Sequence, residues 1–303
     1  MSILVVGSVA FDSIETPFGQ VDEVLGGSAT YFSTSASFFT DVNLVAVVGE
    51  DFPDEHREML AGRGVDLSGL QTSPGQTFRW KGRYGFDLNE AHTLDTQLNV
   101  FESFSPEIPE SYKNAEYVFL ANIDPELQLE VLQQVEKPKL IACDTMNFWI
   151  EGKREALVKT LAHVDVLVIN EGEARQLADQ PNLRKAAQTI LALGPKSLVI
   201  KRGEYGVIMF SEHSICSAPV YPLEEVFDPT GAGDTFAGGF IGYLASTRNL
   251  SEANIRQAIV FGSVMASFNV ESFSLDRLKT LEYKEIEDRF REMKLLSDFE
   301  PIN

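Results

Sequence analysis

Seven short apolar runs, most of them rich in β-branched residues, recur along the chain and constrain its fold more than any other feature. Most are apolar at consecutive positions, which is typical of strands buried on both faces of a parallel sheet. Helical patterns lie between them, and this alternation predicts an α/β fold in which helices flank a doubly wound, mostly parallel sheet. The runs are residues 3–7, 44–49, 117–121, 140–144, 166–170, 197–201 and 206–210, and the helical patterns are residues 53–63, 125–136, 151–163, 171–178, 182–193, 234–247, 251–268 and 283–296.

One region departs from this alternation. Residues 76–104 combine aromatic residues, threonines and alternating polar positions, which is typical of exposed antiparallel strands. Together with residues 12–24 they predict a small β-stranded lid over one edge of the main sheet, because the aromatic side chains would otherwise be left in water. A surface excursion without regular structure is the alternative. No repeat or linker is evident, so residues 1–303 are predicted to form a single domain into which this lid is inserted.

The charge balance excludes several kinds of partner. The chain carries 25 Lys and Arg against 45 Asp and Glu, a net charge of −20. Such a chain is not expected to bind a nucleic-acid backbone or an acidic membrane surface. The first residues, MSILVVGSVAFDSIE, contain neither a basic segment nor a long apolar run, so we expect no signal peptide, no membrane span and a cytoplasmic location. An anionic ligand would need a local positive field.

The segment DPTGAGDTFAGGF, residues 228–240, could supply that field. Gly231 and Gly233 allow the backbone to turn sharply and approach a ligand, and a helix is predicted to begin near residue 233. The first amides of a helix lack intrahelical partners and lie at its positive end, which makes an anion site. The same dipole favours an ionised Asp234, so we expect its pKa to stay low. An anion site beside a carboxylate base suits phosphoryl transfer to an alcohol, although the same residues could cap a helix without any ligand.

Other nucleotide-binding motifs are missing from the sequence. No G-x-G-x-x-G follows the first predicted strand, and the chain contains neither G-x-x-x-x-G-K-[ST] nor the H-R-D and D-F-G motifs of protein kinases. A dinucleotide-binding fingerprint, a P-loop and a protein-kinase site are therefore all disfavoured.

Six segments, in order along the chain, carry a resemblance to a known family. They are GSVAFD (7–12), LGGSATYFS (25–33), VVGEDFPDEHREMLAGRGVD (47–66), INEGE (169–173), IKRGEYG (200–206) and DPTGAGDTFAGGF (228–240). These segments resemble motifs of the ribokinase-like, or PfkB-type, carbohydrate and nucleoside kinases. The resemblance covers nearly the whole chain and implies an α/β sandwich with a small β lid. It also implies transfer of the γ-phosphoryl group of ATP to a hydroxyl group of a sugar or nucleoside.

The resemblance also implies a role for each matching residue. The catalytic base would be Asp234, and the anion hole Gly231, Ala232 and Gly233. The substrate side would comprise Asp12, Gly27, Ser28 and Tyr31. The nucleotide side would comprise Lys201, Gly203, Gly206, Thr230 and Ser263. Hydrated Mg²⁺ would be organised through water by Asn170 and Glu173, whose oxygen atoms suit this hard cation.

Several positions leave alternatives open. Lys201 stands where many members of the family have Thr, and it could contact phosphate or be a solvated strand end. Asn170 could equally be a helix N-cap. Asp228 and Thr230 match positions near a monovalent-cation site in some members, so activation by K⁺ is left open. Three segments depart from the family pattern: Tyr31 replaces Asn, DTMNFW (144–149) replaces D-x-N, and residues 261–273 lack the small-residue turn of the adenine pocket.

The sequence also leaves undecided whether the acceptor is a sugar, a nucleoside or a sugar phosphate. Arg79, Lys81 and Arg83 alternate on one predicted strand face, where they could bind a phosphate group or simply be solvated. A nucleoside requires an apolar slot in which the base stacks on aromatic rings. The candidate rings are Phe11, Tyr31, Phe101, Phe104 and Trp149, and Tyr31 beside the glycine pair slightly favours a nucleoside. A catalytically silent sugar- or nucleoside-binding regulator is the rival function, and a homodimer formed through the lid is conceivable.

Overall fold

A computed structural model describes residues 2–212 and 214–298 of the chain. Within these residues the main sheet has nine strands in the order β13-β12-β11-β10-β9-β8-β1-β4-β5. In this order, all neighbouring strands from β11 to β5 are parallel. At the other edge of the sheet, β12 pairs antiparallel with β11, and β13 pairs antiparallel with β12. Its strands are β1 (Ser2–Val6), β4 (Asp41–Gly49), β5 (Val65–Ser73), β8 (Tyr117–Leu120), β9 (Leu140–Asp144), β10 (Val166–Asn170), β11 (Ser197–Lys201), β12 (Val207–Ser211) and β13 (Ile215–Ala218).

Helices cover both faces of this sheet. Successive residues of β1 enter different apolar clusters, Ile3 on one face and Leu4 on the other, which explains why the strand runs are apolar throughout. The helices are α1 (Ser28–Ala36), α2 (Asp54–Ala61), α3 (Pro125–Gln134), α4 (Asn147–Gly152), α5 (Arg154–Leu161), α6 (Glu171–Ala178), α7 (Leu183–Leu191), α8 (Ala232–Thr247), α9 (Glu252–Asn269), α10 (Asp276–Thr280) and α11 (Tyr283–Leu296). The predicted doubly wound α/β architecture is confirmed.

A second, smaller sheet stands apart from the main one. Its strands, in the order β3-β2-β6-β7, are β2 (Ala10–Thr16), β3 (Gly19–Gly26), β6 (Phe78–Tyr84) and β7 (Ala91–Gln97). The segments 12–24 and 76–104, predicted to form a lid, therefore contribute strands to one sheet. Every residue of β7 is exposed, so this strand is an open edge.

The sequence prediction misses some elements. Helix α1 has the sequence SATYFSTSA and is buried at all nine positions, so it has no exposed face and its sequence lacks the apolar period of a surface helix. Strand β5 alternates irregularly at the sheet edge, and the predicted helix 151–163 is divided between α4 and α5. No helix among the described residues is long and apolar enough to cross a membrane.

Candidate active site

Helix α8 begins with a tight turn at the predicted anion site. Gly231 is its N-cap residue and adopts a left-handed conformation with φ 72°. A Cβ atom at this position would lie 2.3 Å from Cγ of Tyr31, so only glycine allows the loop to pack on that ring. The amide of Ala232 already donates to the carbonyl of Pro229 at 3.1 Å. Ala232, predicted to help form the anion hole, therefore contributes less than the amide of Gly233 in this conformation.

Asp234 lies in the first turn of α8 and is partly exposed. Burial, with the neighbouring charge of Asp144 second, raises the pKa of Asp234 to about 8, although Lys201 acts in the opposite direction. The prediction of a low pKa is therefore wrong. A helix dipole contributes up to about 2 kcal/mol in partly buried sites, and here it is outweighed by the loss of hydration and the adjacent carboxylate.

Lys201 places a positive charge against the turn. Its Nζ donates to Oδ2 of Asp144 at 3.0 Å, and the side chain is only 19% exposed. A Cβ atom at Gly233 would lie 2.6 Å from this Nζ, so the ammonium group fills the space that glycine leaves. Burial opposes the charge, but Asp144, Glu173 and Asp234 together raise the pKa of Lys201. The alternative of a solvated strand end does not hold, since the ammonium group lies between the anion turn and the sheet.

Asn170 and Glu173 form a reciprocal cap at the start of α6. Asn170 Oδ1 accepts from the Glu173 amide, and Glu173 Oε2 accepts from the Asn170 amide, both at 2.8 Å. Burial, then the charge of Asp144, raises the pKa of Glu173 to about 7. Across the described parts of the chain, three or more His, Cys, Asp or Glu side chains do not come together as a metal-binding group. The cap uses only Oε2 of Glu173, so Oε1 takes no part in it. The predicted binding of Mg²⁺ by Asn170 and Glu173 through water stays a prediction.

Asp12 faces the site from the small sheet. It is 4% exposed, and burial raises its pKa to about 7, although the Gly27 amide acts in the opposite direction. Gly27 begins α1 with φ 95° and places its amide beside this carboxylate. Ser28, by contrast, forms hydrogen bonds with Ser8. Its amide donates to Ser8 Oγ at 3.0 Å, and its own Oγ accepts from the Ser8 amide at 3.2 Å. Asp12 and Gly27 therefore lie together, close enough to Asp234 for the charge of Asp12 to raise its pKa, whereas Ser28 fixes the entry to α1.

Tyr31 is placed differently from the prediction. It is 1% exposed, and Gly231 lies over its ring, so no base can stack on that face. The predicted use of this ring as a stacking surface is therefore wrong. Its hydroxyl group has no hydrogen-bond partner among the described residues. The remaining candidate rings pack against neighbours as well: Phe101 stacks with Phe78 and Phe104, and the Trp149 indole donates to Asn122.

The loop before the anion turn is fixed by hydrogen bonds that the sequence did not predict. Asp228, which is fully buried, accepts from the amides of Thr230 at 2.8 Å and Ser274 at 3.0 Å. Asn269 donates to the Thr230 carbonyl at 2.8 Å. Tyr84, at the end of β6, meets the Thr230 hydroxyl at 3.2 Å and so joins the small sheet to the anion turn. Tyr84 was missed because nothing in its local pattern separates it from the other aromatics of residues 76–104.

The predicted nucleotide-side residues lie in three places: Lys201 and Thr230 at the anion turn, Gly203 and Gly206 after β11, and Ser263 on α9. Gly203 and Gly206 shape the turn between β11 and β12, where the Arg202 amide donates to the Gly206 carbonyl at 2.8 Å. A Cβ atom at Gly203 would lie 2.3 Å from Asn89 Oδ1, so the tip of the β6–β7 hairpin touches this turn. Ser263 lies on α9, is 8% exposed, and donates its hydroxyl to the Ile259 carbonyl at 3.1 Å.

Two of the three cations of β6, Arg79 and Arg83, are paired with carboxylates. Arg79 contacts Glu23 at 2.7 Å and Asp51 at 2.9 Å. Arg83 contacts Glu15 at 2.9 Å, and Lys81 is exposed. Their charge is therefore largely offset, which agrees with a solvated strand face better than with a phosphate-binding cluster.

Comparisons with known proteins identify the family of this chain. The family model described as "pfkB family carbohydrate kinase" matches residues 2–280. A cytidine kinase from Thermococcus kodakarensis is 32% identical over 261 residues, which cover 83% of this chain and 91% of the relative.

Solved structures share the fold. The nucleoside kinase of Methanocaldococcus jannaschii has a TM-score of 0.76 at 20% identity, covering 96% of this chain and 98% of the other. A protein provisionally described as ribokinase II from E. coli, solved in complex with ATP and Mg²⁺, has a TM-score of 0.78 at 19% identity, covering 96% and 99%. At these identities the two structures establish the fold alone. The family match over nearly the whole chain shows that this protein belongs to the pfkB family of carbohydrate kinases and is a sugar or nucleoside kinase.

Proposed function

We propose that this protein is an ATP-dependent nucleoside kinase in which Asp234 is the general base. The observation that supports this most directly is the position of Asp234 beside the Gly231–Gly233 turn, with the Lys201 ammonium group at the same turn. A base must lie within reach of the acceptor proton, and its pKa is best matched to the working pH. Burial and Asp144 raise the pKa of Asp234 to about 8, which is close to such a match.

The proposed reaction exchanges one phosphorus–oxygen bond for another and moves one proton. The acceptor hydroxyl oxygen attacks the γ-phosphorus of ATP, the bond from that phosphorus to the bridging oxygen breaks, and ADP leaves. The hydroxyl proton passes to Asp234. The amide of Gly233 and the Lys201 ammonium group would stabilise the charge on the transferring group. Asp12 would hold an acceptor hydroxyl group.

The residues present suit ATP with Mg²⁺. Asn170 and Glu173 offer amide and carboxylate oxygens, and the burial that raises the pKa of Glu173 to about 7 favours a nearby cation. When bound, Mg²⁺ would neutralise part of the phosphate charge. The E. coli relative in complex with ATP and Mg²⁺ supports this assignment. Activation by K⁺ near Asp228 and Thr230 remains part of the proposal, tested by replacing K⁺ with Na⁺ in the assay. Because ATP is the donor, we propose a cytoplasmic site of action.

A nucleoside is the preferred acceptor for two reasons. The cytidine kinase relative is 32% identical over most of the chain. The ion pairs of Arg79 and Arg83 argue against a sugar-phosphate acceptor. The presence of Asp234 and of the Gly231–Gly233 turn in the sequence argues against a catalytically silent regulator. A homodimer through the small sheet is supported by the exposed edge strand β7, and mass measurement in solution tests it.

An acceptor panel tests the proposal. ADP release is measured with ATP and Mg²⁺ and, in turn, cytidine, uridine, adenosine, ribose, fructose and fructose 6-phosphate. We expect acceptor-dependent ADP release, highest with a nucleoside and with cytidine as the first candidate. A reaction without acceptor is the control for ATP hydrolysis. Release that no acceptor increases would contradict the proposal, and a preference for fructose 6-phosphate would restore the sugar-phosphate alternative.

A further inference from the structure

A fully buried asparagine, Asn269, bridges the two sides of the anion turn. Its Nδ2 donates to the Thr230 carbonyl at 2.8 Å, and its Oδ1 accepts from the Thr235 hydroxyl at 3.0 Å. Thr230 directly precedes the Gly231–Gly233 turn, and Thr235 directly follows Asp234. One carboxamide group therefore holds the chain on both sides of the turn and of the proposed base.

The chemistry of the partners fixes the direction of both hydrogen bonds. A carbonyl oxygen can only accept, so the amide nitrogen of Asn269 faces Thr230 and its oxygen faces Thr235. Asn269 and Thr235 are fully buried, so bulk water does not compete for these bonds. Removal of either side chain would leave a buried polar group unpaired, which native proteins rarely tolerate.

The carboxamide is itself held in place by the segment around it. Asn269 is the last residue of α9, and the carbonyl of the next residue, Val270, accepts from the Phe227 amide at 2.8 Å. Asp228 accepts from the Ser274 amide at 3.0 Å. These bonds fix the end of α9 beside the segment that leads into the turn, so the position of Asn269 is determined before any ligand binds.

The opposite ends of the same two helices carry a similar pair. Asn254, in the first turn of α9, donates from Nδ2 to the Thr247 hydroxyl at 2.8 Å and to the Asn249 carbonyl at 2.7 Å. Thr247 is the last residue of α8 and lies roughly 20 Å along the helix from the anion turn. None of these residues is proposed to take part in the reaction. The pair therefore provides a standard for a purely structural link between α8 and α9.

We propose that Asn269 is a positioning residue for phosphoryl transfer, because it holds the Gly231–Gly233 turn and the Asp234 carboxylate in one fixed arrangement. The inference rests on the proposed kinase function. The base must reach the acceptor proton while the Gly233 amide faces the transferring group, and both requirements fall on one short segment. A misplacement of about 1 Å can lower a rate by about 100-fold, so restraints on both sides of this segment should act on the rate of transfer.

The test measures single-turnover phosphoryl transfer to the best acceptor of the panel, at saturating ATP, Mg²⁺ and acceptor. It compares wild type with Asn269→Leu and Asn254→Leu, below the unfolding transition of each protein. Each substitution replaces a buried carboxamide by an apolar side chain of similar size, so both variants should unfold at a lower temperature than wild type. We expect transfer to be about 10- to 100-fold slower in Asn269→Leu, and to keep the wild-type rate in Asn254→Leu.

Variants of Thr235 test the same link if Asn269→Leu does not fold. Thr235→Val keeps the shape of the side chain and removes its hydroxyl group, whereas Thr235→Ser keeps the hydroxyl group. We expect Thr235→Val to slow transfer about 10-fold, the scale of one neutral hydrogen bond, and Thr235→Ser to recover most of that loss. Thr247→Val removes the hydroxyl group of the standard pair and should transfer at the wild-type rate.

The outcomes distinguish the inference from the function. Wild-type rates in Asn269→Leu and Thr235→Val, or an equal loss in Asn254→Leu, would overturn the positioning role and leave the kinase assignment intact. A weaker affinity for ATP with an unchanged transfer rate would overturn it as well. Wild-type protein that phosphorylates no acceptor of the panel would overturn the proposed function and this inference together.

Discussion

At single residues of the site, burial and neighbouring charges shift the pKa in opposite directions. Asp144 is buried and Asp234 and Glu173 are partly buried, and one cation, Lys201, lies close enough to lower the pKa of both Asp234 and Glu173. Burial of a carboxylate raises its pKa, and a neighbouring ammonium group lowers it. Because Lys201 is ion-paired with Asp144 at 3.0 Å and lies against Gly233, its position is fixed before any phosphate arrives.

We predict that Lys201→Met lowers kcat about 100-fold or more, the usual scale for loss of a group that stabilises transition-state charge. The variant also leaves Asp144 buried without its partner, so it should lose stability. Adding Asp144→Asn should restore stability without restoring kcat, which separates the two effects. Lys153→Met, at an ion pair with Asp124, is the matched control and should keep wild-type activity. Recovery of kcat in the double variant would contradict a direct role for the ammonium group.

The sequence predicted the positions of these residues better than their states. The order of the motifs along the chain predicted which strand or helix start carries each of Asp234, Asp12 and Lys201. It did not predict the raised pKa of Asp234 or the buried Lys201–Asp144 pair, because both depend on side chains that are far apart in the chain. The loss of Tyr31 as a stacking surface has the same cause, since the covering residue is Gly231.

At the scale of elements, the contacts between the small sheet and the rest of the chain include two near the site. Tyr84 at the end of β6 meets Thr230, and Asn89 in the β6–β7 hairpin lies against Gly203. Both contacts join strands of the predicted lid to turns predicted to bind phosphate or nucleotide. The alternating pattern of the sequence predicted the strands of the small sheet. It did not predict α1, because this helix is buried on every side.

We predict that β6 and the β6–β7 hairpin exchange amide hydrogens more slowly when nucleoside and a non-hydrolysable ATP analogue are bound. The ligands would complete the contacts between the small sheet and the anion turn, and hydrogen exchange reports such local opening. Peptides covering β6 and β7 measure the effect, and the peptide covering α7 is the internal control. Unchanged exchange in β6 and the hairpin at saturating ligand would show that this sheet does not close over the acceptor.

At the scale of the whole molecule, the site lowers the stability of the unliganded protein. Burial raises the pKa of Asp12 and Glu173 to about 7 and that of Asp234 to about 8, all above their ordinary values. An acid with a raised pKa in the folded state binds more protons when folded than when unfolded. Its contribution therefore falls as the pH rises from its ordinary pKa towards its folded pKa. The chain also carries a net charge of −20, which adds self-repulsion at neutral pH.

We predict that Asp234→Asn is more stable than wild type near pH 8, and that this advantage shrinks towards about pH 4.5. The amide cannot ionise, so the variant escapes the cost that grows between the ordinary and the raised pKa of Asp234. Urea unfolding of both proteins at the two pH values measures it. The exposed Asp22→Asn is the control for the loss of one negative charge. An advantage that does not change with pH would contradict the raised pKa.

The same variant gives the most direct test of the central claim, that a carboxylate beside a main-chain anion site deprotonates the acceptor alcohol. Single-turnover phosphorylation of the best acceptor by ATP and Mg²⁺ is measured for wild type and Asp234→Asn at saturating ligand, with nucleotide affinity checked separately. We predict unchanged nucleotide affinity and a phosphoryl-transfer rate lower by about 10²–10⁴-fold, the range for loss of a general base. A rate close to that of wild type would contradict the assignment of Asp234 as the base.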